Sequence, residues 1–536
     1  MADSSKKPFV APFPIGGVSK RHGYAGQNPA TTPSALNVFP TDWTTGRERG
    51  GTRPGLTNFG SSPSGAPYGW CPITFQTSGS LKRGIAVVTA SGTYTMTTFA
   101  SPYSWTQSIS AAPGSDFSTC QMFMQTLVQT SYGMQYPRIL WMASGPGLTS
   151  PWIDDGSLEA VITNYNTDAD PVPDPALPAP PEYCGIVSVH NARLVLAGAK
   201  NDPHVVYFSR MNSLVDWDYS AVDQQGAFVT SSGKAGYIGE PVTALIPHTN
   251  DCLLIGGPDS LYVLRGNPRA GGHIHSLSTT TGPLMQSAWC KTDNDWTYMM
   301  TRAGLWRMPP GCGDVLQSVS REVLPIELLA INPGAGDKVS MGYDMLFRGL
   351  LIFVDSVAYG KYGYFYDLQS GGFWPINYGS GTSWSGNAVH LLPSYPAAMT
   401  RDRSNLIQLL SDGTAKVFDR TDTAESFTSQ VYLGPIAVGG SPYTDGVLTD
   451  IGAVLGEDSD PLSFAIYGGD SAQEAYNNPT QTFTGNAWSK QGLNHWQNPR
   501  VRATAAYIKA HASGTSRWQF EEIFGLNAPV SMRRVD

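Results

Sequence analysis

Residues 243–266 read TALIPHTNDCLLIGGPDSLYVLRG. Three short runs rich in Leu, Ile, Val and Tyr are separated by Asn-Asp and by Gly-Gly-Pro-Asp, the residue types that set hairpin turns, so the stretch reads as three consecutive antiparallel strands. The same trio recurs on both sides, as VSVH, ARLVLAGA and VVYFSR (187–210) and as SAWCKT, WTYMMTRAG and LWRMPPG (287–311). With further units near 72, 119, 339 and 397, the chain has seven starts, at about 72, 119, 187, 243, 287, 339 and 397, separated by 44 to 68 residues. That spacing suits β-propeller blades of three or four strands with uneven loops. The strands alternate only loosely, as expected when each blade packs between two neighbours and both of its faces are buried.

Composition supports an all-β class: 58 Gly, 40 Pro and only 14% charged residues in a chain of 536 describe turns and aromatic strands rather than helices. The run PVPDPALPAPP (171–181) cannot join a ladder and reads as an extended interblade linker. Composition shifts near 425, after which LTDIGAVLG, LSFAIYGG, RVRATAAYIKAHAS and WQFEEIFGL resemble longer strands of a separate β-sandwich, with DSAQEAY (470–476) the one helical stretch. The expected organisation is an extended N-terminal segment over 1–69 carrying a basic Gly/Arg loop, a β-propeller of about seven blades over 70–425, and a C-terminal β-sandwich-like domain over 426–536. Six cysteines lie tens of residues apart with no C-x-x-C, which predicts buried free thiols rather than a zinc site or a disulfide framework. The first twenty residues lack an apolar signal core and no run of about 18 apolar residues occurs, so neither a secretion signal nor a membrane-spanning segment is expected.

Candidate chemistry is sparse. His273 and His275 in GGHIHS could hold a metal from alternate positions of one strand, but no third ligand stands at readable spacing. Asp216 and Asp218 in DWDYS, and the acids of TDNDW (292–296), are expected to cap turns through their side chains. Glu182, Asp216, Asp218 and the histidine pair are therefore expected to tolerate replacement. No zinc-protease, serine-hydrolase, phosphate-loop or calcium-loop pattern is present. The sequence predicts no enzyme, no cofactor and no metal.

Charge is distributed unevenly. Residues 1–60 contain Lys6, Lys7, Lys20, Arg21, Arg47, Arg49 and Arg53 against Asp3, Asp42 and Glu48, a net +4 in a chain of net −8 that leaves −12 for the rest. A net acidic chain argues against wholesale wrapping of nucleic acid, so any such contact must be local. The segment NVFPTDWTTGRERGGTRPGL (37–56) resembles one near the start of propeller-containing tail proteins of short-tailed bacteriophages, the tail nozzle or tail tubular protein B class. CLLIGGPDSLYVLRG, SAWCKTDNDWTYMMTRAGLWRMPPG, YGYFYDLQSGGFWPI (362–376), FAIYGGDSAQEAY, QNPRVRATAAYIKAHASG and the basic SMRRVD resemble later segments of that class in the same order, over roughly residues 34–536.

The resemblance implies a structural virion protein, made in the host cytoplasm. It would form a homohexameric ring that continues and closes the DNA-ejection channel below the portal and adaptor. The implied partners are the tail adaptor proteins, fibres or spikes, and genomic DNA in transit. On this reading Lys20, Arg21, Arg47, Arg49 and Arg53 contact DNA or the adaptor, and Gly46, Gly50, Gly51 and Gly55 place the last three arginines on a flexible loop, where triple replacement by Gln leaves folding nearly intact. Two alternatives remain open at this level: a host-recognition or fibre-docking protein using exposed Trp43, Trp70 and Trp152, and a carbohydrate-active propeller enzyme.

Overall fold

The computed structural model describes residues 6–58 except 44, the strands alone between 67 and 154, and residues 181–532 with breaks at 182–183, 212–215, 231–235, 312, 314, 320–324, 379–389, 393–405, 410–414 and 420–424. The chain is nearly all β, and two short α-helices, Ile326–Leu329 and Ala472–Asn477, are described. The PVPDPALPAPP run lies outside the described residues, apart from Pro181. Among the described residues no helix is long and apolar enough to cross a membrane.

Seven antiparallel sheets follow one another along the chain. They begin at Pro67, Phe117, Cys184, Ala244, Trp289, Lys338 and His390, the first and last five and seven residues before the starts expected from the repeat and the others within three. Blade 4 shows how the opening stretch folds: Ala244–Thr249, Cys252–Gly256, Leu261–Arg265 and His273–Ser278 pair in chain order. Its second strand, CLLIG, is buried at every residue, as befits a strand packed on both faces. The first strand of blade 1 lies against those of blade 2 and blade 7, so the array closes on itself.

Closure uses a strand from the other end of the chain. Blade 7 contains His390–Leu392, Ile407–Leu409 and Ala415–Asp419, and its fourth strand is Gly55–Asn58, paired antiparallel from Asp419↔Gly55 to Lys416↔Asn58. The N-terminal segment also enters the C-terminal body. That body is a sandwich of two five-stranded sheets. One runs Lys7–Pro12, Phe520–Met532, Thr444–Leu455, Gly492–Gln497, with Val501–Ala503 also on Thr444–Leu455. The other runs Ala35–Leu36, Ser429–Ala437, Ala505–Ala512, Ser463–Gly469, Gln481–Thr484. Each sheet thus takes one strand from the first 36 residues, and the N-terminal segment is woven into both bodies.

A single buried core crosses the boundary. It joins Phe13, Val38, Phe39 and Leu56 of the N-terminal segment, Leu351, Phe353, Phe365 and Trp374 of blade 6, Phe418 of blade 7, inward residues of both sandwich sheets such as Leu448 and Ile466, and Trp518 just before the strand Phe520–Met532. The ring of Phe13 stacks on Trp374 at 5.5 Å and meets Phe520 at 5.3 Å. Propeller and sandwich are held together by the same apolar burial that stabilises each of them.

The cysteines divide. Cys184 and Cys290 are buried free thiols, as expected from the sequence. Cys252 is disulfide-bonded, and there the expectation of free thiols fails: spacing along a chain says nothing about which cysteines the fold brings together.

Candidate functional site: the arginine segment and the joint it builds

Residues 37–56 form a hairpin. Val38–Phe39 pairs with Gly51–Thr52, and the chain between them turns back where the amide of Asp42 donates to the carbonyl of Arg47 and that of Gly46 to the carbonyl of Asp42. Gly46, at φ +72°, occupies the left-handed region that favours glycine at a turn. Gly50 and Gly51 serve a different purpose: a Cβ at Gly50 would lie 2.1 Å from the Phe13 ring, and one at Gly51 would lie 2.2 Å from the Trp518 carbonyl. These two glycines permit close packing against the sandwich, not loop flexibility.

Arg53 is fully buried. Its Nη1 and Nη2 pair with the Glu425 carboxylate at 3.0 and 3.1 Å, its Nε donates to Asn37 Oδ1 at 3.0 Å, and the carbonyls of Pro54 and Asn377 accept from Nη1 and Nη2 at 2.8 and 3.0 Å. The guanidinium lies 4.0 Å from the centre of the Phe427 ring and 5.3 Å from that of Tyr378. Glu425 also accepts from the amide of Leu56 at 3.1 Å. A buried cation is tolerable only when it is paired and its donors are satisfied, and the fork of Arg meets both demands here. Burial drives the Tyr378 phenol well above its ordinary pKa, with Arg53 pulling the other way and Glu425 adding to the rise; the neutral hydroxyl donates to Gln408.

Arg49 is buried as well. Its Nε and Nη2 each lie 3.1 Å from Asp42 Oδ2, and Nη1 reaches Glu521 at 3.6 Å. Arg517 approaches the other oxygen of Asp42 at 3.7 Å while lying 4.1 Å from the centre of the Trp43 ring. Trp43, offered by the sequence as an exposed aromatic, is buried with its indole N–H on the Thr52 carbonyl at 3.0 Å. Trp70 and Trp152 have side chains outside the described residues.

The five basic candidates therefore separate. Arg49 and Arg53 cannot touch DNA or an adaptor in this conformation, because their donors are engaged inside the protein. This corrects their assignment to a flexible loop and removes the exposure on which the expectation of intact folding on replacement rested. Arg47, Lys20 and Arg21 are exposed. Lys20 pairs with Glu327 at 2.9 Å. Burial raises the pKa of Glu327, but Lys20 and the Tyr364 hydroxyl outweigh burial and leave it below the ordinary value.

The acids of DWDYS cap turns: Asp216 Oδ1 accepts from the amide of Asp218 at 3.0 Å, and Asp218 Oδ1 accepts from the amide and hydroxyl of Ser220 at 2.8 and 2.6 Å. His273 and His275 have ring centres 5.4 Å apart. Among the described residues no three His, Cys, Asp or Glu side chains gather as metal ligands would, and Glu182 lies outside the described residues. The residues that sequence reasoning missed are Arg53's partners, Asn37, Asn377, Phe427 and above all Glu425. No spacing signal could find Glu425, 372 residues from Arg53; only its position at the composition shift hinted at a junction.

No protein-family model matches the chain, and no curated protein matches its sequence. Among solved structures, the extracellular domain of the putative one component system BT4673 from B. thetaiotaomicron aligns at 13% identity and a TM-score of 0.39, over 78% of this chain and 45% of that one. The chain thus spans less than half of that protein. YCF48 bound to D1 peptide aligns at 7% identity and a TM-score of 0.37, over 68% of this chain and 99% of that one. A glycoside hydrolase family 43 arabinoxylan arabinofuranohydrolase from Bacillus subtilis aligns at 9% identity and a TM-score of 0.26, over 89% and 97%.

Proposed function

We propose that the chain is a structural protein of a short-tailed bacteriophage tail, assembling as a sixfold nozzle ring that continues and closes the DNA-ejection channel. The observation that carries the reading is the ordered series of sequence segments resembling that class, and where they fall. CLLIGGPDSLYVLRG supplies the second and third strands of blade 4, WTYMMTRAGLWRMPPG those of blade 5, and YGYFYDLQSGGFWPI the last two of blade 6. The N-terminal segment of the series builds the joint between propeller and sandwich. A conduit under the pressure of a packaged genome needs bodies that do not hinge, and a shared core with a buried Arg53–Glu425 pair supplies that rigidity. Arg47, exposed at the tip of the hairpin, is the residue of that hairpin left to meet DNA or an adaptor, and one arginine per chain becomes a ring of charge in a symmetric assembly.

Electron microscopy of the purified chain mixed with its tail neighbours tests the proposal: a sixfold ring with a central channel is expected. A stable trimer would instead favour the host-recognition alternative.

A further inference from the structure

The second sandwich sheet has one face in the core and one outside. Val431, Leu433, Phe464, Ile466, Ile508 and Ala510 point inward. The alternate residues therefore lie on the other face, where Tyr432, Lys509, the buried Ala465 and Thr484 form one cross-strand row and Tyr507, Tyr467 and Thr482 the next, with Tyr507 itself buried against Tyr24 and Tyr476. Helix Ala472–Asn477 covers one end and adds Tyr476, whose ring lies 5.3 Å from Tyr432 and 5.5 Å from Tyr507. The rings of Tyr432 and Tyr467 are 6.2 Å apart and within 23° of parallel.

Lys509 Nζ sits 5.7 Å from the Tyr432 ring centre and forms no ion pair among the described residues, although the chain carries a net charge of −8. His511, next on the same side of the strand, has a buried Nδ1 without a hydrogen-bond partner. Burial lowers the pKa of Lys509, and burial together with Lys509 lowers that of His511; no carboxylate offsets either.

We propose that this outer face binds an acidic saccharide, a uronate-type sugar whose carboxylate meets Lys509 while its ring lies on Tyr432 and Tyr467. Tyrosine suits a partner that is apolar on its ring face and polar at its edge. Thr482, Thr484 and His511 supply hydrogen-bonding groups at the rim for sugar hydroxyls. A nucleic-acid strand is the poorer fit, because it is held by several phosphate contacts in series and this face carries one strong cation. The inference stands apart from the tail assignment and rests on this sheet alone.

Affinity electrophoresis of the full chain through gels containing polygalacturonate, with dextran as the neutral control, tests it. Retardation is expected in polygalacturonate and not in dextran. Lys509→Gln and Tyr467→Ala should each weaken apparent affinity about tenfold, with melting temperature recorded to show that the variants are folded. Equal retardation in both gels, none in either, or none lost in the folded variants would overturn the proposal. Competition by poly-glutamate as strong as that by galacturonate oligomers would show a surface that reads charge alone, and the saccharide assignment would fall.

Discussion

Blade 4 and the joint around Arg53 are built by opposite strategies. In blade 4 every strand pairs with its neighbour in sequence, and two of the three links are turns of two to four residues. In the joint, contacts reach from Arg53 to Glu425, from Thr52 to Trp518 and from Lys6 to Asp450, so closing it fixes loops of hundreds of residues. Blade 4 is held by contacts close in sequence and the joint by contacts far apart in it. Blade 4 needs only hairpin turns and apolar strands, whereas the joint needs specific partners, which it finds in a bidentate ion pair and glycines that admit a ring and a carbonyl.

The contrast can be broken most severely at Arg53. Arg53→Ala leaves the Glu425 carboxylate buried without its partner and should cost about 3–5 kcal/mol in denaturant unfolding, whereas Arg53→Met with Glu425→Leu should recover a large part of that loss. A single-variant cost under about 1 kcal/mol would mean that apolar burial alone holds the joint. Next in size is Phe13→Ala, which removes a ring shared by Trp374 and Phe520 and should cost about 3 kcal/mol. A comparable loss on truncating a blade-surface aromatic such as Tyr237, 72% exposed, would erase the distinction between joint and blade.

His190 in blade 3 provides a lever on the propeller alone. Burial, the largest cause, holds its pKa down to about 4, with Asp251 raising it and Arg193 lowering it. The folded state keeps the imidazole neutral while the unfolded chain protonates near 6.5. Its contribution is therefore complete above about pH 6.5 and is lost as pH falls from there toward 4, by up to about 3 kcal/mol. His190→Gln should flatten this part of the stability profile relative to the parent, and unchanged slopes would remove the histidine from the account. The smallest effect is expected at Arg47. Arg47→Gln should shift stability by less than about 0.5 kcal/mol; on the tail reading, particles carrying it should fail to attach tails or should leak DNA before adsorption. Normal assembly, DNA retention and infection would return Arg47 to an ordinary surface role.

The same contrast explains what could be read from the sequence. Blades were legible because each hairpin announces itself within about 25 residues, through runs such as CLLIGG and SLYVLRG and the turns between them. The sandwich strands and the helix near DSAQEAY were legible for the same local reason. The joint was not. TGRERGGTRPG has the composition of a mobile basic loop, and partners outside it, from Asp42, Asn37 and Phe13 to Glu425 and Trp518 hundreds of residues away, turn Arg49 and Arg53 into buried groups and Gly50 and Gly51 into packing positions. Asp216 and Asp218 were read correctly as turn caps because an Asx hydrogen bond spans two residues.

Gly55–Asn58, the strand that closes blade 7, has a consequence for how the protein is made. It leaves the ribosome early, and its partner Ala415–Asp419 follows roughly 360 residues later, about twenty seconds to a minute at typical rates of synthesis. Until then the growing propeller is an open arc, and its closing strand must remain unpaired without recruiting another chain. A four-residue strand, GLTN, with one large apolar side chain is a weak template for such pairing. Nascent chains stalled before residue 415 should therefore be sensitive to protease at this strand, and chains released after residue 425 should be protected there.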